Sequence, residues 1–169
     1  MSCGDRYGDL LVNSSGKTAD DPCSVFCGPT DYETWKDRAR ELAVMVGEHW
    51  QELARLEDAR GVATYREALL AQQHDLVDSY DALPSTIGAV FDGTANYATN
   101  VGQAVTVCRK AVCVLELVDD AIASYGGTAP GIPTPTKPAP PLLRGFSLGG
   151  LLLPALVVGG VVTLVALRR

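Results

Sequence analysis

From Trp35 onward the chain carries a regular stripe: Trp35, Ala39, Leu42, Val46, His49, Leu53 and Leu56 follow one another at spacings of four and three residues. That is the period of one helix face. Lys36, Asp37, Arg40 and Glu41 occupy the other faces. Pro29 followed by Thr30-Asp31-Tyr32-Glu33 reads as a capping box that opens this helix. Arg60-Gly61 interrupts the pattern. A second stripe, Tyr65, Leu69, Gln72, Leu76 and Leu83, does not continue the phase of the first. A turn near Gly61 is therefore expected, with a single bent helix as the alternative. Pro84-Ser85-Thr86 marks the next break, where Pro84 ends the helix and Ser85 is a candidate N-cap.

The third segment keeps a helical period through Ile87, Phe91, Thr94, Ala98, Val101, Val105, Cys108, Val112, Leu115 and Ile122. From Gly93 through Cys108 it carries no charge, and Val107, Val114, Val118 and Ala121 add a second apolar stripe. A helix without charge on any side is covered on every side. It is either the central helix of a bundle or a surface that meets copies of itself. Val101, Val105, Cys108, Val112 and Leu115 are accordingly the candidate partner face. The β-branched run Val105-Thr106-Val107 leaves a strand as the minority reading. Gly126-Gly127 ends the segment.

Two further segments follow. Residues 128–145 form a linker in which Pro130, Pro133, Pro135, Pro138, Pro140 and Pro141 favour extended polyproline II. It reads as a semi-rigid spacer, and Pro135-Thr-Lys-Pro138 also matches the P-x-x-P form of docking peptides. Residues 146–167, Phe146 to Leu167, contain no charge. As a helix they reach about 33 Å, against a hydrocarbon core of about 30 Å. A single transmembrane helix is expected there, flanked by Arg144 and by the basic tail Arg168-Arg169, whose side chains can reach the headgroups. Ala155, Gly159 and Thr163 recur every four residues along it, a small-residue stripe that lets two helices approach closely. Pro154 softens the first half of this helix.

The proline segment, the hydrophobic helix and the terminal arginine pair together resemble the tripartite C-terminal sorting signals of some bacterial surface proteins. The resemblance covers about the last 40 residues. Pro-Leu-Leu-Arg-Gly stands where the diagnostic peptide of those signals would be. Such proteins also carry an export signal, whereas Met1-Ser2-Cys3-Gly4-Asp5-Arg6 opens here with no apolar stretch after it. On that reading the head is expected on the cytoplasmic side. Basic residues near the anchor, two on each flank, give no vote on orientation.

The formal charge of −6 conceals an asymmetry. All 20 acidic residues precede Gly145, and only 12 of the 14 basic ones do, so the part outside the anchor carries −8. That field repels nucleic-acid phosphates and anionic headgroups. The longest basic run is Arg109-Lys110, and no nucleic-acid partner is expected.

Candidate chemistry is sparse. No Gly-rich phosphate loop ends in Lys-Ser/Thr, and no nucleophile motif accompanies a histidine. Cys3, Cys23, Cys27, Cys108 and Cys113 are expected as free thiols in a cytoplasmic head, with a Cys23–Cys27 disulfide the alternative if the head is exported. As a four-thiolate metal site they are poorly spaced, because Cys108 and Cys113 lie on different helix faces. His49 and His74 come level if the chain folds back about Gly61, with Glu52 and Asp78 one turn away. The Glu-x-x-His motif of di-iron bundles is absent, since Val46 and Ala71 occupy those positions. No catalytic residue, cofactor, metal or small-molecule substrate is assigned.

The expectation is an all-α protein: a small antiparallel helical bundle or long helical hairpin, with a Pro-rich stalk and one C-terminal transmembrane helix. Residues 1–28 form an irregular arm, 29–127 an acidic helical head, and 168–169 a basic tail. Its partners are expected to be the lipid bilayer and further copies of itself or other membrane and structural proteins. The leading function is that of a membrane-anchored structural or adaptor protein. The alternatives are a pore or lysis factor oligomerising through its anchor, and a structural component of a membrane-bounded particle such as a virion.

Overall fold

The computed structural model describes Cys3 and residues 6–23, 25–85 and 96–132. Within them the chain is an all-α three-helix bundle: α1, Pro29–Asp58; α2, Thr64–Asp81; and α3, Tyr97–Ser124. The anchor segment, with Ala155, Gly159 and Thr163, and residues 133–145 of the linker lie outside the described residues. Among the described residues no helix is long and apolar enough to cross a membrane.

α1 begins two residues earlier than the expected box, with its N-cap at Gly28 instead of Thr30. Pro29 takes the first helical position, where its missing N–H loses nothing and its fixed φ is already helical. Gly28 is the N-cap, and Asp31 rather than Glu33 reaches back, its Oδ2 accepting the Gly28 N–H at 2.9 Å. The turn at Gly61 forms as expected, with φ +66° at that glycine. The Val62 N–H donates to the Glu57 carbonyl and the Gly61 N–H to that of Asp58, which closes α1 with a Schellman pattern. α3 ends in the same way: Gly127 N–H donates to Ile122, and Gly126, at φ +70°, to Ala123.

In α2 the buried positions are Leu69, Gln73 and Leu76, so Gln73 replaces Gln72 on the inner face. Leu83 is buried just past the helix end. α3 starts at Tyr97 with Asn96 as its cap, whose side chain accepts the Thr99 N–H at 3.2 Å. Residues 86–95, which carry Ile87, Phe91 and Thr94 of the predicted stripe, lie outside the described residues.

The helices run up, down and up. Glu57 meets Tyr65 at one end, while Lys110 meets Ser79 toward the other. α1 and α3 are therefore parallel, and α2 is antiparallel to both. Most of the packing is between α1 and α3. Trp35, Ala39, Leu42, Val46, Leu53 and Leu56 of the first stripe all turn inward, as do both apolar stripes of α3 from Val101 onward, whereas Ala98 is exposed. Val101, Val105, Cys108, Val112 and Leu115, the five candidate partner-face residues, are each 4% exposed or less. Of the two readings of the uncharged segment, it is the central helix of the bundle. They lie within the core, and no surface is left on them to offer a partner.

The N-terminal arm is irregular in backbone but firmly docked. Asn13 is 5% exposed. Its Oδ1 accepts the N–H groups of Ser15 and Lys17 at 3.0 Å each, and its Nδ2 donates to Thr34 Oγ1 at 3.0 Å. One asparagine thus shapes the 13–17 turn and fixes it to α1.

Candidate functional site

Two buried polar clusters join the elements. The first lies between α1, α3 and the arm. His49 belongs to the core stripe of α1, where a polar residue needs a partner. Its Nδ1 donates to Asp119 Oδ1 of α3 at 2.5 Å, with the two side chains 1% and 3% exposed. The Tyr7 hydroxyl of the arm donates to the other oxygen of Asp119. Burial, and after it that hydrogen bond, push the Tyr7 hydroxyl above its ordinary pKa. One turn earlier on α3, Glu116 Oε1 accepts the backbone N–H groups of Arg6 and Tyr7 at 2.8 and 3.2 Å. The Arg6 guanidinium pairs with Asp120 at 2.5 Å. Three acidic residues of α3 therefore hold two residues of the arm.

The second cluster closes the end of the bundle where α1 and α3 stop and α2 begins. Glu57, in the last turn of α1, is fully buried. Its Oε1 accepts the Tyr65 backbone N–H at 2.7 Å and the Tyr125 hydroxyl at 3.1 Å. Its Oε2 accepts Arg66 Nε at 2.8 Å. Ala63, the N-cap of α2, has no side-chain acceptor to offer. Glu57 supplies it from the preceding helix and places a negative group at the positive end of α2. Arg60 adds a bond from Nη2 to the Tyr125 carbonyl at 2.6 Å and stacks over the Tyr125 ring.

The cysteines depart from the expected free thiols. Cys3 is bonded to Cys113, and Cys23 to Cys27, with Cα separations of 4.8 and 5.0 Å. Both separations fall in the usual disulfide range. Sequence spacing does not mark Cys3 as the partner of Cys113, because the pairing depends on the arm folding across α3. Cys108 alone stays reduced and buried, its Sγ meeting the Trp35 carbonyl at 3.8 Å. Burial pushes its thiol up to about 12, which leaves it unreactive.

The two histidines do not come together. His49 turns toward α3, while His74 is exposed on α2. Among the described residues no three His, Cys, Asp or Glu side chains are placed to hold a metal ion. The sequence did contain a signal for the His49 cluster: a histidine in a core stripe, and Glu116, Asp119 and Asp120 in a largely apolar helix. It gave no pointer to Tyr7.

The polar groups of these clusters are hydrogen-bonded within the fold, with His49, Asp119 and Glu57 buried and the Arg6–Asp120 pair half-exposed, and they link the arm and the helices to one another. Comparison with protein-family models, with curated proteins and with solved structures finds no match to this chain.

Proposed function

We propose that this chain is a single-pass, membrane-anchored structural or adaptor protein, whose compact helical head self-associates or holds a partner and acts without catalysis. The observation that carries the reading is the order of segments in the sequence. A tightly cross-linked acidic bundle is followed by a proline-rich spacer and then by 22 uncharged residues, Phe146 to Leu167. The buried polar groups of the head support it, because they are spent on linking elements: His49 with Asp119 and Tyr7, and Glu57 with α2 and Tyr125. The two disulfides favour a head that faces an oxidising compartment rather than the cytoplasm.

The test uses the intact chain. Full-length protein is mixed with liposomes and floated on a density gradient, beside a variant with Val157→Arg and Val158→Asp. The wild type is expected to float with lipid, to resist alkaline extraction and to crosslink as an oligomer. The variant is expected to stay at the bottom of the gradient. A wild type that remains soluble and off the liposomes, or that crosslinks to nothing, overturns the proposal.

A further inference from the structure

Cys3, Arg6 and Tyr7 reach α3 through one covalent bond and four polar ones. Cys3 is bonded to Cys113. The backbone N–H groups of Arg6 and Tyr7 donate to Glu116, the Arg6 guanidinium pairs with Asp120, and the Tyr7 hydroxyl donates to Asp119. Gly8 and Asp9 behind them are exposed. The next attachments are to α1: the Leu10 carbonyl accepts Arg38 Nε at 2.9 Å, and Asn13 Nδ2 donates to Thr34. Further along, Arg109 of α3 reaches the Ala19 carbonyl at 3.2 Å. The first part of the arm is thus bound to α3 by its own set of ties, and Gly8-Asp9 separates it from the part pinned to α1.

These five ties are unequal. Glu116 and Asp119 are 9% and 4% exposed. Each carboxylate gives up water to be held by the arm, and that desolvation offsets much of the attraction. The Arg6–Asp120 pair is half-exposed and holds weakly. Tyr7 is itself only partly buried. The disulfide is different in kind: while it stands, Arg6 and Tyr7 stay at high effective concentration beside their acceptors, and its cleavage removes that proximity. Access differs as well. Cys3 is exposed and Cys113 half-buried, so a thiolate from solution reaches the bond. Cys23 and Cys27 close a small ring whose flanks are pinned independently, the Trp35 indole donating to the Pro22 carbonyl and the Gly28 N–H to Asp31.

We propose that Cys3–Cys113 is a redox latch: a dithiol reductant opens it, Arg6 and Tyr7 then leave α3, and Glu116 and Asp119 become open to water. One thiolate of the reductant attacks Cys3 Sγ, the exposed sulfur, and Cys113 leaves as a thiolate that takes up a proton. The second thiolate of the reductant displaces Cys3 from the mixed disulfide. The two cysteines gain two electrons and end as thiols, and the reductant ends as its own disulfide. The helices stay packed, because Trp35, Leu42, Leu53 and Leu115, all fully buried, build their core without the first part of the arm. Opening strips Arg6 from Asp120 and leaves Glu116, Asp119 and Asp120 uncovered along α3, so the oxidised and reduced heads present different faces. The latch works in the same way whether or not the chain is anchored in a membrane.

The experiment follows amide hydrogen exchange and circular dichroism of the full-length chain in detergent, before and after reduction with dithiothreitol, with thiol titration to show that the bond has opened. Exchange at Arg6 and Tyr7 is expected to rise by more than about tenfold on reduction, as for a locally opening segment, and to fall again on reoxidation. The centres of α1 and α3 are expected to stay protected and the helix content to be kept. The variant Cys23→Ser/Cys27→Ser retains the latch and is expected to show the same rise, while Cys113→Ser is expected to exchange fast at Arg6 and Tyr7 with or without reductant. Unchanged exchange at Arg6 and Tyr7 in the reduced wild type overturns the proposal. So does a rise shared equally by the whole head, which is unfolding, and so does a rise that disappears in the Cys23→Ser/Cys27→Ser variant.

Discussion

His49 Nδ1 on α1 and Asp119 Oδ1 on α3 stand 2.5 Å apart, in a core where neither side chain exposes more than 3% of its surface. Seventy positions of sequence separate them. Their pairing fixes the register of the two parallel helices, since a slip by one turn would leave both groups buried without partners. Removing one member is therefore expected to do far more than removing both. His49→Ala or Asp119→Ala should each destabilise the head by about 3–5 kcal/mol. The double variant His49→Leu/Asp119→Leu should lose clearly less than the sum of the two. Denaturant unfolding of all four proteins measures the difference as a coupling energy.

Tyr7 links the arm to the same carboxylate. Tyr7→Phe keeps the ring and removes the hydroxyl, so Asp119 loses one donor. A loss of about 1–3 kcal/mol is expected. Amide exchange in residues 6–13 should rise with it, while exchange in the centre of α1 stays slow. Equal acceleration in both would show that the arm and the bundle do not open separately.

Glu57 caps α2 from another helix. Glu57→Ala leaves the first amides of α2 without acceptors and Arg66 without its buried partner. A destabilisation of about 3 kcal/mol or more is expected. Glu57→Gln retains the acceptor oxygen but not the charge, and should lose less. Exchange at the Tyr65 and Arg66 amides, read by nuclear magnetic resonance, reports the fraying directly.

The cysteines sort into three kinds of behaviour. Peptide mapping without reductant should recover Cys3 joined to Cys113 and Cys23 to Cys27. Cys108 should resist alkylation at pH 8 until the protein is unfolded, because its thiol is covered and held protonated. Cys3→Ser should lower stability by about 4–5 kcal/mol on the chain-entropy account, given the sequence separation of 110 between the partners. Cys23→Ser closes no comparable loop and should cost much less.

One acid-sensitive contribution sits at the start of α1. Lys17, and after it the Gly28 N–H, hold the Asp31 carboxyl below its ordinary pKa. A carboxylate lowered in the folded state stabilises fully above the ordinary value and loses that contribution as pH falls through the folded one. Asp31→Asn should therefore be less stable than wild type at pH 6, by about 1 kcal/mol as for other lost caps. The gap should shrink from about pH 4 downward. Unfolding midpoints between pH 2 and pH 6 follow it, and a gap independent of pH would show that the ionised carboxylate, and with it the Lys17 pair, contributes nothing to the difference.

The inner face of α1, the turn at Gly61 and the Schellman end at Gly126 were all legible in the order of residues, because they depend on period and on backbone freedom within a few positions. The start of α1 was legible only to within two residues, since Asp31 and Glu33 can each reach back to an N-cap and Pro29 decides between them. The uncharged stretch of α3 announced burial, but not what would cover it. Its cover is α1, and choosing between a central helix and a surface shared with copies required the other helices to be in place.

Local sequence determined which segments become helices and where they stop, and it set the acidic head before the proline-rich and uncharged segments. Tertiary structure alone decided that Cys3 meets Cys113, that Tyr7 reaches Asp119, and that His49 turns away from His74. Helix-forming interactions act over three or four residues, so a linear reading captures them. Contacts between an irregular arm and a helix more than a hundred residues away depend on how three cylinders pack, and no short-range pattern encodes that choice.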